Sequence, residues 1–131
     1  MGPLARNLRL LDRAVAQLKA ALAPVWQDTA VLIVTEFGRT VAINGSRGTD
    51  HGTGAAAFAL GGAVRGGRVI ADWPGLGDRD LHEGRDLRPT RDLRGLFKAA
   101  LAAQLGVSEA ALETKVFPES RGVRRVEGVF G

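Results

Sequence analysis

Twelve of the 18 glycines fall between Gly38 and Gly84, within GRTVAINGSRGTDHGTG, LGGAVRGGRV and WPGLGDRDLHEGRD. Glycine is costly inside helices and long strands but serves in turns, so this stretch is confined to short strands joined by shaped loops. Regular helices are left to the two ends. Towards the start, Leu4, Leu8, Leu11, Val15, Leu18 and Leu22 recur at spacings of 4, 3, 4, 3 and 4, which predicts a one-faced helix. Pro24 ends it by restricting Ala23. The same spacing suits a coiled-coil seam, but a run of under three heptads favours a helix lying on a sheet. Towards the end, Thr90 is the expected N-cap of a helix over Arg91 to Leu105, with Gly106 at its C-terminal turn. Ser108 should cap a short helix from Glu109 to about Glu113, and 118–131 reads as a loose tail.

Thr29 to Thr35 is continuously apolar and rich in β-branched residues, the pattern of a strand buried on both faces in a parallel sheet covered by helices. Ala55 to Leu60 and Arg68 to Asp72 are further expected strands. The expectation is one α/β domain over 1–131. Cysteine is absent, which excludes a disulfide framework, thiolate metal sites and Cys nucleophiles. No apolar run approaches the roughly 20 residues of a membrane helix, so no membrane partner is expected. The net charge of +4 invites a nucleic-acid reading. Its distribution opposes one, because seven Arg and six acids interleave from Arg65 to Arg94 and only Arg121, Arg124 and Arg125 form a basic run. With no Tyr, two Trp and five Phe, a base-stacking platform is poorly supplied as well.

The densest polar cluster is Asn44-Gly-Ser-Arg-Gly-Thr-Asp-His-Gly-Thr-Gly54. A carboxylate and an imidazole from Asp50 and His51 suit Zn, Mn or Fe better than Ca or Mg. A turn in which Asp50 bonds the backbone and His51 stays solvated is the other reading of this spacing. Neither nucleotide-binding glycine fingerprint occurs. Glu36 and Arg39 follow the first strand, where α/β sheets carry their chemistry. A structural ion pair between them is equally open.

Thr35-Glu-Phe-Gly-Arg-Thr40, Gly48-Thr-Asp-His-Gly-Thr-Gly54, Leu60-Gly-Gly-Ala-Val-Arg-Gly-Gly-Arg-Val69, Asp72-Trp-Pro-Gly-Leu76 and Glu83-Gly-Arg-Asp-Leu87 occur in that order. Together they resemble the C-terminal part of the bacterial domain-of-unknown-function family 1501, grouped with the alkaline phosphatase and sulfatase-like superfamily. The resemblance implies a portion of a three-layer sandwich, with a short, mostly parallel or mixed sheet flanked by helices. It implies that Asp50 and His51 form a metal-binding pair, with Glu36 as a further ligand and Arg39 contacting a substrate oxyanion. Zn or Mn is the expected ion, weakly held, since two or three ligands rarely retain a metal that normally sees four. Some relatives carry a second histidine where this chain has Thr53. His82 is expected at the surface or in packing, and Trp73 is expected to pack in the core at the sheet edge, with the rim of a pocket as the other reading.

The superfamily's nucleophile precedes the resembling segment, so no catalytic residue is assigned within this chain. Ser46 and Thr49 have no general base at a convincing spacing. The expectation is an incomplete domain, inactive alone, which forms homo-oligomers or joins a missing N-terminal half. The alternative is a metal-dependent hydrolase of phosphate or sulfate esters. Relatives usually carry a twin-arginine export signal and none is visible in this sequence, so the compartment stays open.

Overall fold

The structure is a computed structural model that describes residues 2–131. Its helices stand at the two ends, as the glycine distribution demands. α1 spans Pro3–Ala21, with Pro3 in the first turn, where a missing N–H costs nothing. A 3-10 helix, Ala23–Asp28, follows and absorbs Pro24. α2 runs Leu93–Leu105. Its N-cap is Asp92, two residues beyond the expected Thr90, because the Asp92 carboxylate accepts the Arg94 N–H at 2.9 Å. Gly106 closes α2 in the left-handed region at φ 63°, a conformation that suits glycine. Ser108 caps α3, Glu109–Ala111, and a π-helical turn over Leu112–Val116 completes this end.

The strands are shorter than expected, and antiparallel. β1 (Val31–Ile33) pairs with β4 (Phe58–Leu60) in the register Val31↔Leu60, Leu32↔Ala59 and Ile33↔Phe58. β2 (Gly38–Arg39) pairs with β3 (His51–Gly52). The parallel sheet expected of Thr29 to Thr35 is therefore corrected. Parallel neighbours need a long crossover, usually a helix, and the chain between β1 and β4 holds the β2–β3 ribbon instead. β1 is half-buried rather than enclosed on both faces. The strand expected over Arg68 to Asp72 does not form, and Val69 there is 91% exposed. Gly66 and Gly67 precede it and Pro74 follows, so little chain is left to sustain a ladder. The chain is thus a mixture of helices and small antiparallel sheets, α/β in the general sense.

Two compact units divide the chain. One comprises Met1–Pro24, Val34–Ala57 and Ala71–Thr90 and contains α1 and the β2–β3 ribbon. Its buried residues include Thr40, Leu81 and Asp86, a centre more polar than apolar. The other comprises Val25–Ile33, Phe58–Ile70 and Arg91–Gly131. Its core is Ala99, Leu112 and Val129, closed by two buried polar groups, Lys98 and Ser120. The Lys98 ammonium donates to the carbonyls of Ser120 at 2.7 Å and Val123 at 3.0 Å. Gly95 O accepts the Val126 N–H at 3.1 Å, and Arg65 N–H reaches Val129 O at 2.8 Å. The stretch from Pro118 onward is accordingly tied to α2 and to Val64–Arg65 by specific bonds, although its composition reads as a tail. A run of turns can dock this way when each buried carbonyl finds a donor.

Candidate functional site

The first unit's site is built on the β2–β3 ribbon. Gly38 faces Gly52 across it, and a Cβ on Gly38 would overlap the Thr53–Gly54 backbone. That close approach lets Arg39 and His51 stand opposite one another as Cα partners. The ribbon is widened by the segment after His82. Leu87 N–H donates to Arg39 O at 3.1 Å, Val41 N–H to Arg85 O at 3.1 Å, and Gly54 N–H to Leu87 O at 3.0 Å.

Arg39 is exposed, and its Nη1 donates to Thr49 O at 3.0 Å, which fixes the guanidinium against the ribbon. His51 is exposed, and its ring stacks on Phe37 with centroids 4.4 Å apart and planes within 3°. Phe37, Arg39 and His51 share one face, because positions two apart, and positions paired across the ladder, project to the same side. Asp50 makes different contacts. Its Oδ1 accepts from Asn44 Nδ2 at 2.8 Å, and its N–H donates to Thr40 Oγ1 at 3.0 Å. Asp50 precedes β3 and its carboxylate is bonded to the Asn44 amide, whereas the His51 ring is stacked on Phe37.

Asn44 organises the intervening turn. Its Oδ1 accepts from the Ser46 and Gly48 N–H groups at 3.1 and 3.0 Å and from the Ser46 hydroxyl at 2.8 Å. The Ser46 hydroxyl is thereby engaged with an amide oxygen, not with a base. Glu36 is exposed in the loop before β2, and Arg39 turns to the Thr49 carbonyl. The structure thus sets Arg39 and His51 opposite one another, with the Asp50 carboxylate engaged by Asn44 and Glu36 exposed in the loop before β2.

Among the described residues no three His, Cys, Asp or Glu side chains gather around one point. The carboxylate most embedded in this unit is Asp86, only 3% exposed. Its Oδ2 accepts from the Thr53 hydroxyl at 2.9 Å, and Arg85 Nε lies 2.8 Å from Oδ1. The Thr53 hydrogen bond is the main influence holding its carboxyl below the ordinary value; burial opposes it and the Arg85 guanidinium adds to it. His82 N–H also donates to Asp86 O at 2.9 Å. Asp86 and Thr40 escape a reading of the sequence that treats Asp86 as one of many interleaved charges. The signal that could reveal them is a lone Asp beside a short apolar residue, Asp86-Leu87, following a tight Glu83-Gly84 turn.

The sequence model of a family described as a protein of unknown function, DUF1501, matches residues 2–117. Comparison with curated proteins and with solved structures finds no match.

Proposed function

Because the chain belongs to the DUF1501 family, we propose that it forms part of an alkaline phosphatase or sulfatase-like fold, catalytically silent by itself and oligomeric, whose ribbon contacts an oxyanion. One observation carries this reading: Arg39 stands across the ribbon from His51 with one N–H anchored on the Thr49 carbonyl. A guanidinium held in this way keeps its remaining N–H groups directed outward. Their fork matches two oxygens of a tetrahedral phosphate or sulfate. The Phe37–His51 stack stiffens the same face, so an arriving anion would meet a preformed surface.

Catalytic silence is supported by what surrounds the ribbon's hydroxyls. Ser46 donates to the Asn44 amide oxygen, which is no base, and the Asp86 carboxylate that Thr53 donates to is held below its ordinary pKa, which makes it a weak one. The second reading, a metal-dependent hydrolase of phosphate or sulfate esters, draws on the adjacency of Asp50 and His51 in the sequence and requires the turn at Asn44 to rearrange.

The test is hydrolysis of p-nitrophenyl phosphate and p-nitrophenyl sulfate by the whole chain with added Zn or Mn. The expected rate equals that of a protein-free control containing the same metal. Turnover that disappears in Asp50→Ala/His51→Ala would overturn catalytic silence and establish the second reading.

A further inference from the structure

Phe37 and His51 form a ring stack that is open to solvent. Their centroids lie 4.4 Å apart with planes within 3°, Phe37 is 48% exposed and His51 is exposed as well. Such a flat, preformed surface accepts a further planar ring without first having to immobilise its own side chains. The same face carries Arg39, directly opposite His51 in the register. Its Nη1 donates to Thr49 O, and Thr49 is two residues from His51, at most about 7 Å along the backbone. The stack and the guanidinium are therefore within reach of one small molecule. We propose that the oxyanion met by the ribbon is borne on an aromatic ring: the ligand is an aryl phosphate, its ring on the Phe37–His51 stack and its phosphate on Arg39. This rests on the oxyanion reading above and adds the group to which the anion is attached.

Two arguments favour a ring joined directly to the phosphate. The first is energetic. A lone exposed guanidinium gains little from an anion in water, so bare phosphate is held weakly and the affinity has to come from the ligand's apolar part. The ring stack supplies it, because covering aromatic surface is favourable whatever charge the ligand carries. The second is distance. Side chains on directly opposed residues are rooted about 5 Å apart, and in an aryl phosphate a single ester oxygen separates ring and phosphorus. A nucleotide interposes a sugar and sets its base several bonds further away. The neighbouring charges refine the ligand. Glu36 precedes Phe37 and Asp50 precedes His51 in the sequence, so a ring carrying a second negative group is disfavoured. The Asp50 carboxylate is met by Asn44 Nδ2 at 2.8 Å, which leaves Arg39 free to take the phosphate.

The test is titration of the labelled whole chain with phenyl phosphate, methyl phosphate and adenosine monophosphate, followed by chemical shifts with chelator present. Phenyl phosphate is expected to bind at least about fivefold more tightly than methyl phosphate, the margin that stacking of one ring provides. Its ring protons should move upfield as they enter the stack. In Phe37→Leu the margin should vanish while methyl phosphate binds as before, and in Arg39→Ala both phosphates should weaken. Equal binding of phenyl and methyl phosphate would overturn the aromatic ligand and leave the oxyanion reading standing. No binding of either phosphate would overturn both. Tighter binding of adenosine monophosphate than of phenyl phosphate would replace the aryl phosphate by a nucleotide. Phenol binding as tightly as phenyl phosphate would overturn the part given to Arg39.

Discussion

α1 and α2 are both helices with regular apolar spacing, yet α2 buries Gly95, Lys98 and Ala99 while α1 buries nothing. The difference lies in what the rest of the chain offers each helix. Turns at 120–126 lay the Ser120 and Val123 carbonyls onto the buried Lys98 ammonium and donate the Val126 N–H to Gly95 O. No described segment does the same for α1. Periodicity therefore specifies that a helix has a face; the partner of that face depends on longer-range contacts that spacing does not encode.

Substitutions can break this contrast, and the largest effect belongs to the covered helix's neighbour. Leu112 is fully enclosed, so Leu112→Ala should cost about 2–5 kcal/mol in urea unfolding, through lost burial and a residual cavity. Lys98→Met keeps the side chain's bulk but strands two carbonyls, and a loss of about 2–3 kcal/mol is expected. Hydrogen exchange at Val123 and Val126 should accelerate in the same variant. Gly95→Ala sharpens the comparison, since alanine favours a helix, yet its Cβ would come within 2.6 Å of Arg124 O. A net loss of about 1–2 kcal/mol is expected, against the gain that propensity alone predicts. An increase in stability would show that the terminal turns do not press on α2.

A pH series addresses the polar centre of the other unit. Asp86 has its carboxyl held below the ordinary 3.8. Its stabilising contribution is complete above that value and is lost as pH falls through it towards the lower folded value. Thr53→Val removes the main cause and raises the folded value, so the stability that Asp86 loses on acidification should shrink, and an unchanged loss would refute the assignment. The smallest effect is expected on α1. Gln17→Ala, on an exposed position away from the helix's apolar face, should alter stability by less than about 0.5 kcal/mol.

Much of the helical layout is legible in the sequence because caps and breakers act locally. Pro24, Gly106 and Ser108 mark the ends of elements at or beside the observed boundaries. Strand direction was not legible. The apolar run at Thr29 to Thr35 resembles a parallel core strand, but only Val31–Ile33 finds a partner, and that partner is antiparallel. At the site, Arg39 and His51 are singled out by type and position, and the ribbon does set them opposite each other. Adjacency in the sequence does not reveal that the Asp50 carboxylate is bonded to Asn44 while the His51 ring stacks on Phe37. Asp86 is hidden from such a reading because the hydroxyl that bonds its carboxylate belongs to Thr53, 33 positions away in the chain.

The proposed function rests on the Arg39–His51 face receiving an oxyanion. Inorganic phosphate titrated into the isotopically labelled whole chain, with chelator present, tests it most directly. Chemical-shift changes centred on Phe37, Arg39 and His51 are expected, lost in Arg39→Ala while the remaining spectrum is retained. Phosphate shifts that emerge only after Zn or Mn is added, and vanish in Asp50→Ala/His51→Ala, would contradict it.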